Sequence, residues 1–130
     1  MIKPDAVKDK HVGAIVSMIE QAGFCIRSIK LAQLTPQTAG MFYQVHKERS
    51  FYEQMCQYMA QGPVIALILE KERAVEDFRT LIGATDPAQA APGTIRARFG
   101  RSIEANAVHG SDSDETAVME AKFFFPTMNT

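Results

Sequence analysis

Short apolar runs alternate with amphipathic stretches along this chain, separated by glycine, proline and capping residues. Met1-Ile2-Lys3 reads as the end of a strand, stopped by Pro4. Val12, Ile15, Val16 and Ile19 recur with the spacing of a helix that has one apolar face, and Gly23 closes it. Residues 24–34 are strand-like, with an alternation that slips between Ile26 and Ile29 and so predicts a bulge. Thr35-Pro36 supplies an N-cap and a first-turn proline for a helix whose face is Ala39, Phe42, Tyr43 and His46. Ser50 and Glu53 have capping-box spacing, which predicts a short helix through Met59. After the break at Gly62-Pro63, Val64-Ile65-Ala66-Leu67-Ile68-Leu69 is uninterrupted and apolar, as in a buried central strand. Ala74, Val75, Phe78, Leu81 and Ile82 mark the next helix, ended by Gly83. Residues 84–105 have weak periodicity and predict a long loop, a feature usually kept for function. A last strand end at Val108-His109 leads through Gly110 into a helix from about Asp112 to Lys122.

Strands and helices in this order fit an α+β fold best: a ferredoxin-like βαββαβ antiparallel sheet with helices packed on one face and a long inserted loop. The 130 residues make one domain, 1–130, with 46% hydrophobic and 22% charged residues. A net charge of −1 provides no basic field for nucleic acid or anionic lipid, so strong nucleic-acid binding is not expected. No apolar run approaches a membrane span, and Met1-Ile2-Lys3-Pro4 is not a signal peptide. Cys25 and Cys56 form no CxxC or His/Cys cluster, which argues against zinc and disulfide scaffolds and for reduced thiols in the cytoplasm. His11 and His46 lack ligand spacing and read as surface residues.

The remaining histidine is different. In Asn106-Ala107-Val108-His109-Gly110-Ser111-Asp112-Ser113 it follows an apolar step and precedes a glycine and several small polar residues. That pattern ends a strand, turns tightly and caps a helix, setting an imidazole beside backbone N–H groups suited to an anion. Lys3, Arg79, Thr85 and Arg96 lie in separate segments. Guanidinium and ammonium groups gathered around His109 would form a polyphosphate cradle with a nucleophile at its end.

Five blocks carry a resemblance along the whole chain. They are Ile2-Lys3-Pro4-Asp5-Ala6-Val7, Gly62-Pro63-Val64, Gly83-Ala84-Thr85-Asp86-Pro87, Pro92-Gly93-Thr94-Ile95-Arg96, and Asn106 to Ser113. In this order they resemble nucleoside diphosphate kinases. The resemblance implies transfer of the γ-phosphate of a nucleoside triphosphate, typically ATP, to a nucleoside diphosphate by a ping-pong mechanism with broad base specificity. It implies that His109 carries the phosphoryl group as a pros-phosphohistidine, with Ser111 and Glu120 holding the ring. Lys3 would reach the γ-phosphate with Tyr43 close to it, and Phe51 would stack on the base. Arg79, Thr85 and Arg96 would surround the phosphates, and Asn106 would bind the sugar 3′-hydroxyl. Mg²⁺ would arrive on the nucleotide phosphates, since the chain offers no carboxylate cluster for a metal cage. The resemblance further implies a homo-oligomer, a tetramer or hexamer built from dimers. Members usually begin several residues before the Ile-Lys-Pro-Asp block, so a shortened first strand and a looser Lys3 are expected here.

Without the resemblance, Phe51 and Tyr43 would be read as packing residues, Glu120 as a solvated charge, and Asp112 as a helix-start charge. A nucleotide-binding regulator without turnover is the alternative reading, but it has no use for a poised histidine. Charges around His109 pull its pKa both ways, Glu120 upward and Lys3, Arg79 and Arg96 downward, and near cancellation is expected.

Overall fold

Ile2 joins the two halves of the sheet: it bridges antiparallel to Ile65 on one side and to Val108 on the other. The computed structural model describes residues 1–127. Its long ladder pairs β1 (Cys25–Ala32) antiparallel with β2 (Val64–Glu70), from Cys25 opposite Glu70 to Ala32 opposite Val64. The register shifts between Ile26 and Ser28, where the slipped alternation predicts a bulge. The spatial order is therefore β1, β2, Ile2, Val108, all antiparallel, as a βαββαβ chain requires. The first and last strands expected in the sequence, around residues 1–3 and 108–109, are reduced to these single bridges.

The uniform apolarity of β2 follows from its position. Val64 and Ala66 are buried in one apolar cluster with Leu34, Ala39, Cys56, Met59 and Phe124. Ile65, Leu67 and Leu69 pack on the other, around Ile2, Ile15, Ile19, Phe24, Ile82, Ile95 and Val108. Alternate residues of a strand point to opposite faces, so helices cover both faces of this sheet rather than one. Helices α2 (Val12–Gln21) and α5 (Ala74–Ile82) supply the second cluster; α3 (Pro36–Phe42), α4 (Tyr52–Met59) and α7 (Asp114–Phe124) supply the first.

Local chemistry sets the helix ends. Pro4 does more than stop a strand. It occupies the first turn of a helix, α1 (Pro4–Lys8), because its fixed φ and missing N–H suit that place. Thr35 caps α3 in a reciprocal box, Thr38 N donating to Thr35 Oγ1 (3.1 Å) and Thr35 N to Thr38 Oγ1 (2.8 Å). The box expected at Ser50 and Glu53 does not form; α4 begins after Phe51 with no side-chain cap. The segment 84–105 is not plain loop. It holds a 3₁₀ turn (Pro87–Gln89) and α6 (Ile95–Phe99), capped by Thr94. Gly83 ends α5 with φ 89°, and a Cβ there would lie 2.5 Å from Thr94 Oγ1. Only glycine lets α5 approach α6 this closely, and that approach delivers Arg96. Ser113 caps α7, which starts at Asp114, two residues later than expected. Among the described residues no helix is long and apolar enough to cross a membrane.

Candidate active site

His109 sits where the last bridge meets α7. Its backbone is tied both ways to Met1, His109 N donating to Met1 O (2.8 Å) and Met1 N to His109 O (2.9 Å). Its ring is walled by Phe42 (centroids 5.3 Å apart) and Tyr43 (5.8 Å), both edge-on. Nε2 lies 2.8 Å from Glu120 Oε1, and Ser111 Oγ donates to the same oxygen at 2.7 Å. A carboxylate acceptor at Nε2 selects the tautomer protonated there and leaves the Nδ1 lone pair unused by that bond. Glu120 comes from the second turn of α7, so the Ser113 cap that starts this helix also fixes where the carboxylate reaches.

Burial, not charge balance, sets the acidity of this group. The His109 pKa is lowered because its surroundings desolvate the cation; the bond and charge of Glu120 pull it back up, and Lys3 pushes it down. The near cancellation expected from charges alone is thus displaced, since sequence cannot show the Phe42 and Tyr43 walls. Burial would raise Glu120, but the bonds from His109 and Ser111 outweigh it and hold the carboxyl below its usual range.

Lys3 is not loose. It is buried, with Nζ donating to Asn106 Oδ1 (2.9 Å) and to Glu104 O (2.7 Å), above the Tyr58 ring. Desolvation lowers its pKa to about 8, against the raising influence of Asp5. Asn106 is only 4% exposed, and its Nδ2 donates to Thr85 O at 3.1 Å. One amide thereby links the lysine to the segment after α5.

Arg96 is buried as well. Its guanidinium donates to Gly83 O (3.1 Å) and Val108 O (2.9 Å), while Nε has no partner among the described residues. Burial and the charge of Arg79 both lower its pKa. Arg79, half exposed on α5, pairs with Asp112 at 3.1 Å, so Asp112 is a partner for that cation rather than only a helix-start charge. Tyr43 is buried, and desolvation pushes its hydroxyl well above the usual phenol range, so it stays protonated. Phe51 is 47% exposed, which rules out a core role, and its ring lies 5.9 Å from His46. His46 in turn lies 6.4 Å from Tyr43, making an aromatic path from the surface to His109. Neither His46 nor His11 is a plain surface residue; both are half-buried, His11 against Phe99.

Lys3, Tyr43, Arg96, Asn106, His109, Ser111 and Glu120 therefore converge, with Thr85 and Arg79 at the rim and Phe51 outermost. Asp5, Phe42 and the Glu104 carbonyl had no expected place in the site, Phe42 being marked only as part of a helix face. Only Asp5 had a signal, as a member of the Ile2–Val7 block. Among the described residues no group of three or more His, Cys, Asp or Glu side chains could hold a metal ion.

A family model described as nucleoside diphosphate kinase matches residues 1–130. The chain belongs to the nucleoside diphosphate kinase family. It is 59% identical to the nucleoside diphosphate kinase of Flavobacterium psychrophilum, over 96% of this chain and 90% of the relative. It is 55% identical to that of Chlorobaculum tepidum, over 96% and 89%. The crystal structure of the Aquifex aeolicus nucleoside diphosphate kinase matches with a TM-score of 0.94 at 43% identity, covering 95% of this chain and 90% of that one. The Halobacterium salinarum nucleoside diphosphate kinase, whose structure was determined in complex with CDP, matches at 0.91 and 33% identity, over 95% and 83%. The chain thus shares its α+β fold with these solved nucleoside diphosphate kinases.

Proposed function

We propose that this chain moves the γ-phosphate of a nucleoside triphosphate, typically ATP, to a nucleoside diphosphate in two half-reactions, with His109 carrying the phosphoryl group between them. The observation that carries this reading is the bond from His109 Nε2 to Glu120 Oε1, which directs the other ring nitrogen to the chemistry.

In the first half-reaction the Nδ1 lone pair attacks the γ-phosphorus. The N–P bond forms as the bond to the bridging oxygen breaks, and the diphosphate leaves with that electron pair. The Nε2 proton stays between the ring and Glu120, whose charge offsets the developing imidazolium. The second half-reaction runs the same path backwards with a new diphosphate. Lys3 neutralises charge on the γ-phosphate, and Tyr43 borders the ring. Arg79, Thr85 and Arg96 receive the remaining phosphate oxygens, Arg96 Nε, without a partner among the described residues, being a donor still to be used. Asn106 takes the sugar 3′-hydroxyl, and Phe51 offers an exposed face to any base, consistent with broad specificity. The substrate is the Mg²⁺ complex of the nucleotide, in which the ion spreads the phosphate charge.

On the same proposal the protein is cytoplasmic, which its two free thiols suit, and forms a homo-oligomer, a tetramer or hexamer built from dimers. Support for self-association comes from β1: among the described residues it pairs along one edge, and Ile29 and Leu31 are 50% and 65% exposed.

Incubation with [γ-³²P]ATP and no acceptor tests the core of the proposal. Acid-labile, base-stable label is expected on the wild type and absent from His109→Ala, which still binds nucleotide. Varying donor and acceptor should give parallel double-reciprocal lines. Intersecting lines, or transfer by His109→Ala within about tenfold of wild type, would move the chemistry to another residue.

A further inference from the structure

Between Asn106 and His109 the backbone takes a turn that alanine does not choose unaided. Val108 N donates to Asn106 O at 2.9 Å, and Ala107 between them has φ 74°. This is the γ-turn of the positive-φ kind, the rarer and strained form. A residue with a Cβ seldom occupies it. Ala107 is fully buried, so solvent does not hold it there.

Its two backbone groups are clamped by the N-terminal segment. Lys3 N donates to Ala107 O at 2.9 Å, and Ala107 N donates to Asp5 Oδ2 at 3.0 Å. The other oxygen of Asp5 accepts from the Tyr58 hydroxyl at 2.7 Å. Asp5 is 4% exposed, a costly place for a carboxylate unless donors surround it. Both oxygens here are satisfied, one by Tyr58 from α4 and one by the turn.

We propose that Asp5, braced by Tyr58, is a positioning residue that holds the Ala107 turn in its strained form and thereby aims Asn106 and His109 at one nucleotide. The inference rests on His109 being the phosphoryl carrier. Asn106, before the turn, lies between Lys3 Nζ and Thr85 O. After it, Val108 O accepts from Arg96, and the His109 ring reaches Glu120. If Ala107 relaxed to negative φ, the peptide planes on its two sides would rotate against each other. The sugar ligand and the attacking nitrogen would then no longer serve the same substrate pose.

The test combines Asp5→Leu, which removes both acceptors at similar size, with Ala107→Gly, which removes the Cβ penalty of positive φ. Asp5→Leu should slow single-turnover phosphorylation by about 100-fold, the scale of an ångström of misplacement. Ala107→Gly alone should stay near wild type, and the double variant should regain most of the rate. Asp5→Asn should also stay near wild type, because its amide oxygen can accept from Ala107 N while its NH₂ donates to the Tyr58 oxygen. A full rate in Asp5→Leu, even with a lowered Tm, would overturn the proposal. So would a double variant as slow as Asp5→Leu, since the carboxylate would then act through its charge on Lys3. Should Asp5→Leu not fold, Tyr58→Phe replaces it: slower phosphorylation restored by Ala107→Gly is expected, and an unchanged rate overturns the idea. Amide exchange at Ala107, protected in wild type and Asp5→Asn but fast in Asp5→Leu or Tyr58→Phe, reads the clamp without catalysis. If wild type takes no label while that exchange pattern holds, the phosphoryl-carrier reading fails and the clamp stands.

Discussion

Replacing Glu120 by Gln isolates the electrostatic part of the site, because the amide keeps an oxygen for Ser111 and for Nε2 while losing the charge. The contact is short, 2.8 Å, and His109 and Glu120 side chains are 23% and 24% exposed. A hydrogen bond to a charged group contributes about 1.5–3 kcal/mol, and each ~1.4 kcal/mol is a factor of ten in rate. Partial exposure screens the pair, so the lower half of that range applies, and phosphorylation should slow by about 10- to 40-fold. The pH profile should move too. Attack requires the neutral ring, so the rate falls as pH drops through the His109 pKa. Burial already holds that pKa below the usual histidine value, and Glu120 is what pulls it back up. Losing Glu120 should therefore shift the acid limb to still lower pH, although the plateau is lower. Quench-flow measurement of labelled protein from about pH 5 to 8.5 reads both effects. A plateau within about twofold of wild type, or an acid limb that stays put or moves up, would show that the carboxylate does not govern the ring.

Phe51→Ala should raise the KM for nucleotides by about 5- to 150-fold, the equivalent of ~1–3 kcal/mol of stacking per base, with little change in Tm because the ring is 47% exposed. An unchanged KM would refute the stacking role of Phe51. Lys3, whose pKa burial lowers to about 8, should be half neutral in the free protein near that pH and lose most of its charge above it. Calorimetric affinity for a non-hydrolysable ATP analogue should therefore weaken between about pH 8 and 9.5, and Lys3→Met should flatten this dependence. A constant Kd over that range would contradict the burial argument.

Helix faces, the bulge near Ile26 and the glycine stop at Gly83 were legible because each is written in neighbouring residues. Pro4 was ambiguous: a proline both ends a strand and begins a helix, and only the following turn decides. α6 hid in the segment 84–105 because five residues cannot display a period. At the start of α4 the capping-box spacing of Ser50 and Glu53 was present, yet the chain entered the helix one residue later, after Phe51. The cradle residues were readable only through the family's motif, since Lys3 and its partner Asn106 are 103 residues apart. Burial of His109 and the clamp at Asp5 had no local trace at all. Phe42 walls the ring from another helix, and the two partners of Asp5 lie 53 and 102 residues away.

The double bridge at Ile2 also bears on how the protein is made. Its neighbours on the two sides, Ile65 and Val108, leave the ribosome at different times. At about 5–20 residues per second, the 103 residues between Lys3 and Asn106 take roughly 5–20 s to synthesise. Through that interval β1 and β2 can pair, but the middle of the sheet has one flank only and Lys3 has no Asn106 to hold. Contacts this distant in sequence slow folding and leave apolar surface uncovered while the chain grows. The nascent chain is thus bound to remain incomplete, and attractive to chaperones, until the histidine segment itself emerges and closes the sheet.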